Sequence, residues 1–362
     1  MLQSATDHEP TPVHRGRSDG RRRPGAATSE ATRLTAESIG ILGLGAYAPE
    51  RVMTNADWAA RVDTSDEWIV SRTGIEERRF AAPGETSVDF AVAAAERALA
   101  DAGLAARQID EIILATDTPE MYSPDTAAFV QDRLGAREIP AFDMAGSGCA
   151  GFLLAVDVAR SRAREGGKKI LVAAVELISR LMSWEDRETC VLFGDAAGAV
   201  VVGPGARAAR ILAATAGTDG NKAGILGLEA GGTRVPFSLE AARAGLHQKV
   251  VMHGREVFRE AVRRMSEAAT TVLEQAGVGL ADVALVVPHQ ANRRILDAVA
   301  RRLGLPAEKM FSNIRLYGNT GSASIPLALT QAREQGRFRP GDLVLLTSFG
   351  AGFHWAAMLL RF

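Results

Sequence analysis

The chain has 362 residues, 47% of them hydrophobic, with 42 Lys and Arg against 43 Asp and Glu. A net charge of −1 excludes a nucleic-acid binder working by bulk electrostatics, and no apolar run approaches the roughly 20 residues that cross a bilayer. Two cysteines, Cys149 and Cys190, make no disulfide framework, so a reducing, cytoplasmic setting is expected.

Residues 1–36 include "HEPTPVHRGRSDGRRRPGAATSEA", polar, broken by Pro and Gly, and without a secretory apolar segment. A disordered tail, or sequence ahead of the true start, is expected there, and its "RGRSDGRRR" reads as a solvated basic run. The apolar "GILGL" then predicts a strand running into "GLGAYA", residues 43–48, which satisfies a loose dinucleotide fingerprint. Pro49 and an expected helix N-cap at Asn55 argue against a helix opening at that turn, so a strand end is expected instead of a cofactor site.

From residue 94 the chain repeats itself. "AAERALADAGLAARQIDEIILATDTPE" predicts a helix stopped at Gly103 and an apolar strand, and "AATTVLEQAGVGLADVALVVPHQAN" predicts the same order at 268–292. Each copy leads to a glycine-rich turn that opens another helix, then to a strand: "AGSGCAGFLLAVDVARSRAREGG" and "KILVAAVE", then "YGNTGSASIPLALTQAREQG" and "DLVLLTSFG". From Asp110 to Cys149 is 39 residues and from Asp282 to Asn319 is 37. The expected organisation is α/β, with two duplicated βαβαβ halves at 37–205 and 206–362 and a helical layer shared between their sheets. Ligands in such sheets collect at the carboxyl ends of strands, where Cys149, His289 and Asn319 are all expected.

Cys149 lies among Gly146, Ser147, Gly148, Ala150 and Gly151, just ahead of the helical spacing of Phe152, Val156 and Ala159. A thiol at a helix N-terminus meets unpaired N–H groups and the positive end of the macrodipole, which favour the thiolate; the competing reading is a buried structural cysteine. His289, after the strand "ALVV", is by itself as well read as a hydrogen-bonded structural histidine, and Asn319 as turn chemistry. Together they supply a thiol, an imidazole and an amide on equivalent loops, a set suited to acyl transfer. Cys190, in "RETCVLFGD", is expected to enter a strand without helix-start activation and to be structural, with Asp195 capping or orienting a turn.

Six motifs, "TSDEWIVSRTGIEERR", "CAGF", "LFGDAAGA", "VPHQAN", "GNTGSAS" and "FGAGFHW", resemble in kind and order those of β-ketoacyl-acyl-carrier-protein synthase III, of the thiolase-like superfamily. The resemblance runs from about Gly40 to Phe362. It implies a thiolase-like homodimer layered helix/sheet/helix/sheet/helix, with Cys149 as acyl-accepting nucleophile and His289 and Asn319 completing a Cys-His-Asn triad. It also implies an oxyanion hole from the backbone N–H groups of Cys149 and Ala351. The implied substrates are an acyl-CoA and malonyl-acyl carrier protein, with no metal and no cofactor beyond the CoA thioester.

Trp68 and Arg187 resemble the pair that sandwiches the CoA adenine, and Arg72 a phosphate contact; in isolation each is ordinary packing or a surface charge. Carrier proteins are acidic, so a basic docking face is expected. Arg294 falls in the helix after "HQAN", and Arg255, Arg259 and Arg263 form a stripe four residues apart, with Arg293, Arg301 and Arg302 nearby. Glu256 and Glu260 beside the stripe support the competing reading of a solvated helix face. Two departures from the family pattern stand out: "FDMAGSGC" carries one residue more than expected before the cysteine, and Ser123 stands where some members have a bulky aromatic. The rival activity is a specialised-metabolism relative that moves the acyl group to oxygen or nitrogen without decarboxylation. A degradative thiolase would need a second cysteine in the last motif, and a noncatalytic subunit usually loses the first.

Overall fold

The computed structural model describes residues 38–205 and 208–362; the expected tail at 1–36 lies outside the described residues. The strands are β1 (Ile39–Tyr47), β2 (Val52–Thr54), β3 (Glu77–Arg79), β4 (Glu111–Ala115), β5 (Ala141–Met144), β6 (Ile170–Leu177), β7 (Asp195–Pro204), β8 (Ala209–Thr218), β9 (Leu226–Leu228), β10 (Val250–Met252), β11 (Val283–Pro288), β12 (Leu343–Gly350) and β13 (His354–Arg361). Nine form one sheet in the order β11-β12-β13-β8-β1-β7-β6-β4-β5. Its halves join only where Gly40 and Ile41 pair antiparallel with Arg210 and Ala209. Outward from that seam, each half places its last strand next to its first. Beyond lie the parallel pair β6–β4 on one side and β12–β11 on the other. The second half's counterpart of β5 has shrunk to a parallel bridge between Met310 and Val286.

β6, "ILVAAVEL", is buried at every position, because helices cover both faces of the sheet and leave no polar side to alternate. The helices Gly151–Arg164 and Ser324–Glu334 form the middle layer. Phe152, Val156 and Ala159 from one, and Ile325, Ala328 and Ala332 from the other, share a core with Val172, Val200, Val287 and Met358. Helices Ser87–Ala102 and Thr126–Arg133 cover the outer face of one half, and Gly254–Ala276 and Arg293–Leu303 that of the other. The result is the layered α/β arrangement that the motifs implied.

Three local expectations change. Thr54, not Asn55, caps the helix Asn55–Ala59: its hydroxyl accepts from Asp57 N and Asp57 answers with its carboxylate. The Asn55 side chain is instead drawn inward to the Ile75 carbonyl, the Asp66 carboxylate and the Arg78 guanidinium. Cys190 is buried but lies in a turn, because the amides of Thr189 and Cys190 bond back to Asp186 O and that of Leu192 to Thr189 O, and β7 starts only at Asp195. Asp195 ties two loops together by accepting from Ser179 N, Ser179 Oγ and Ala81 N.

Candidate active site

The carboxyl ends of β4, β6, β11 and β12, with the turns after β5 and after Met310, open onto one cavity of about 1020 Å³. Cys149, His289, Asn319 and Ala351 all line it. The four sit on different elements and are brought together by the fold of the sheet's two halves.

Cys149 is the middle residue of a 3₁₀ turn, Gly148–Ala150, that leads into the helix Gly151–Arg164. A matching 3₁₀ turn, Gly321–Ala323, leads into Ser324–Glu334, and Gly148 and Gly321 both have φ near +55°. The residue equivalent to Cys149 in the second half is therefore Ser322, with Asn319 three positions earlier. The surroundings of this sulfur oppose the expected thiolate. Burial raises the thiol above its ordinary value, and the Asp117 and Glu176 carboxyls raise it further, outweighing the backbone amide and the Asn319 side chain that favour the anion.

Asn319 is held at both backbone ends by the "LFGD" segment: its N–H donates to Leu192 O at 2.8 Å and its carbonyl accepts from Gly194 N at 3.0 Å. Its side-chain Oδ1 accepts from Gly321 N at 2.9 Å, which turns the amide N–H₂ toward the thiol. His289 is 2% exposed, its backbone N–H bonded to Thr347 O at 2.8 Å. Burial pushes its imidazole down to about 3, so the ring is neutral at physiological pH. Nδ1 lies 2.6 Å from Ser324 Oγ. With that hydroxyl donating to Nδ1, the single ring proton sits on Nε2, where it can be offered to a bound oxygen.

The expected oxyanion hole is a close backbone crossing. A Cβ on Gly350 would stand 2.5 Å from Cys149 N, and a Cβ on Gly148 2.6 Å from Ala351 N. Only glycine at both positions lets the two backbone segments approach this closely.

Arg72 stacks over Trp68 with its guanidinium carbon 4.5 Å from the ring centroid, and Arg187 does so at 5.4 Å. Arg187 is anchored by Asp63, whose carbonyl it reaches at 2.6 Å and carboxylate at 3.1 Å. Arg72 also joins the cavity lining. The structure divides the expected basic stripe. Arg259 faces Glu256 at 3.6 Å, and Arg263 pairs with Glu260 at 2.5 Å and Glu267 at 3.2 Å, so both are engaged in ion pairs on their own helix, although Lys222, Arg264 and Arg302 share the same carboxylates. Arg255 and Arg294 are exposed and line the cavity.

Ser324, Gly350, Asp117 and Glu176 escaped the sequence reading. Ser324 and Gly350 carry no signal outside the fold. Asp117, an acid directly after the apolar strand "EIILAT", and Glu176, the one acid within "KILVAAVE", were visible as charges at strand carboxyl ends. Among the described residues, no three His, Cys, Asp or Glu side chains gather as a metal-binding group.

The sequence profile described as 3-oxoacyl-[acyl-carrier-protein (ACP)] synthase III matches residues 142–220, and that for its C terminal matches 273–362. A relative named beta-ketoacyl-[acyl-carrier-protein] synthase III, from Symbiobacterium thermophilum, is 52% identical over 324 residues, 89% of this chain and 98% of the relative. The crystal structure of 3-oxoacyl-[acyl-carrier-protein] synthase III from Aquifex aeolicus VF5 superposes with a TM-score of 0.82 at 45% identity, covering 90% of this chain and all of that one. The priming β-ketosynthase of the R1128 polyketide pathway gives 0.83 at 36% identity, covering 90% and 97%. With the thiol, imidazole and amide of three family motifs converging on one cavity, the chain belongs to the 3-oxoacyl-[acyl-carrier-protein] synthase III family.

Proposed function

We infer that this enzyme stores the acyl group of an acyl-CoA on Cys149 and condenses it, with decarboxylation, onto malonyl-acyl carrier protein. The observation that carries this reading is the convergence of Cys149 with three kinds of donor: two backbone N–H groups, the Asn319 amide and neutral His289. In the first half-reaction the sulfur attacks the thioester carbonyl, the C–S bond to CoA breaks, and the thiol proton leaves with the CoA sulfur. The N–H groups of Cys149 and Ala351 meet the oxyanion, each such donor being worth about 3 kcal/mol in the transition state.

In the second half-reaction the malonyl C–C bond breaks and carbon dioxide leaves. The electron pair becomes an enolate whose oxygen is held by His289 Nε2–H and the Asn319 amide. The enolate carbon attacks the stored acyl carbonyl, 3-ketoacyl-carrier protein departs, and the released sulfur takes a proton from solvent. The chemistry needs no metal and no cofactor beyond the CoA thioester. Trp68, Arg72 and Arg187 would hold the nucleotide end of CoA by stacking and charge. A homodimer is part of this reading: Met121 and Tyr122, 48% and 88% exposed beside Ser123, give an apolar surface for a second protomer to cover. No helix among the described residues is long and apolar enough to cross a membrane, and the reading places the enzyme in the cytoplasm.

The test supplies an acyl-CoA and malonyl-carrier protein together and weighs the carrier. A 3-ketoacyl adduct, with carbon dioxide released in equal amount, is the expected product. Acyl transfer to the carrier or another acceptor without carbon dioxide would replace this reading with its rival.

Carrier recognition gives a separate expectation. Arg294 and Arg255, exposed at the cavity, should steer an acidic carrier, whereas Arg259 and Arg263 are occupied by glutamates. Arg294→Glu should raise the apparent KM for malonyl-carrier protein about fivefold, the upper end for exposed charges. Added salt should weaken the wild type in the same direction, and acylation by acyl-CoA should change little. Unaltered carrier kinetics and salt dependence in Arg294→Glu would make these arginines a solvated face.

A further inference from the structure

One wall of the cavity carries two carboxyls that the acyl-transfer chemistry leaves unused. Asp117 follows β4 and Glu176 lies near the end of β6, the strand parallel to it, so both reach the level of Cys149. Glu176 is 1% exposed and accepts from Ser322 Oγ at 2.6 Å and Thr118 Oγ1 at 3.0 Å. The Asp117 backbone N–H reaches both of its oxygens at 3.3 Å. The Asp117 side chain points the other way: its Oδ1 accepts from Gly146 N at 3.0 Å.

That bond falls on the turn 145–148, directly ahead of the nucleophile. Gly146 and Gly148 have φ of 74° and 55°, so this stretch is outside any sheet ladder, and the exposed Gly146 amide takes a side chain as its acceptor. Asp117 supplies that acceptor. Asp117 opens to the cavity, but the protein packed around it raises its carboxyl by desolvation, while the amides of Gly146 and Gly148 and His354, at the start of β13, act to lower it. The other titratable groups facing it are Glu176, Cys149 and, across the cavity, His289.

We propose that Asp117 is a positioning residue for the nucleophile: its carboxylate clamps the turn 145–148 that presents Cys149, and its negative charge tempers the reactivity of the sulfur. The proposal rests on Cys149 being the acyl acceptor. It assigns Asp117 two separable actions, because an amide at this position keeps an oxygen for Gly146 N–H and loses the charge, whereas alanine loses both.

The experiment compares wild type, Asp117→Asn and Asp117→Ala by two readouts. One is the rate of iodoacetamide alkylation of Cys149, followed by peptide mass from about pH 6 to about pH 10. The other is the single-turnover rate of acylation by acyl-CoA. Thermal melts show that each variant is folded, and Asp117→Asn, nearly isosteric at an accessible position, keeps the test open should the alanine variant not fold. Asp117→Asn should move the alkylation profile down by about one pH unit, making the thiol about tenfold more reactive near neutrality. Asp117→Ala should acylate about tenfold more slowly than Asp117→Asn, because the nucleophile loses its alignment. An Asp117→Asn profile superimposed on that of wild type, or equal acylation by the two variants, would overturn the proposal. Alkylation needs no acyl substrate, so its profile stands or fails apart from the condensing-enzyme reading.

Discussion

After mixing with an acyl-CoA that the enzyme accepts, the intact chain should gain one acyl mass on Cys149, and Cys149→Ala should gain none. Both cysteines are raised by burial, with Asp117 and Glu176 adding to the effect at Cys149 and Asp186 at Cys190, so resting acidity does not choose between them. Access and transition-state donors do. Cys149 lies on the cavity wall beside the Cys149 and Ala351 amides, whereas Cys190 is 0% exposed and packed with Met53, Phe80 and Met182. Losing the nucleophile should therefore abolish product formation, not slow it. A label on Cys190, or an undiminished adduct in Cys149→Ala, would remove the acyl-enzyme step from the mechanism. Because the thiol is raised, acylation should quicken as the pH rises toward the alkaline range, the direction in which the thiolate fraction grows. A rate already at its plateau at pH 6 would contradict the burial and charge assigned to this site.

His289→Ala should still take up the acyl group, within about tenfold of the wild-type rate, and lose malonyl decarboxylation by about 100-fold to 1,000-fold, the scale set by deleting one oxyanion donor. The ring is buried and neutral, so the proposed role is to donate Nε2–H to the enolate oxygen, not to carry charge. Asn319→Ala should lose decarboxylation similarly and also acylate somewhat more slowly, because its side chain lowers the proton affinity of the Cys149 thiol. Release of labelled carbon dioxide from preacylated enzyme separates the steps. The pH dependence gives a sign to check. Burial lowers the His289 pKa to about 3, so between pH 8 and pH 5 the ring stays neutral and this step should not fall off through imidazole protonation. A descending limb centred near 6.5 would show the ring titrating as if exposed, and normal carbon dioxide release in both variants would leave these donors without a role in decarboxylation.

The sequence by itself determined the repeat and the candidate residues. Cys149, His289 and Asn319 stood out because each lies in a short motif after a predicted strand, and strand ends are where such folds collect ligands; their joint role, and Ala351, came from the family resemblance of those motifs. The spacing from helix to strand to glycine-rich turn recurs in both halves, since each half must build the same covered parallel pair. Only the tertiary structure decided what those residues experience. Local reasoning from a helix start favoured a thiolate at Cys149, but desolvation and the carboxyls of Asp117 and Glu176, 32 residues before and 27 residues after it in the chain, outweigh that field. The tautomer of His289 depends on Ser324, 35 residues away, and the orientation of Asn319 on Gly321 N–H and on the "LFGD" backbone. The stripe Arg255–Arg259–Arg263 was visible from its spacing. The glutamates beside it were legible too, being one helical turn away; that Arg255 and Arg294 line the same cavity was not. Residue identity is local, whereas proton affinity and tautomer depend on neighbours that only folding brings within a few ångströms.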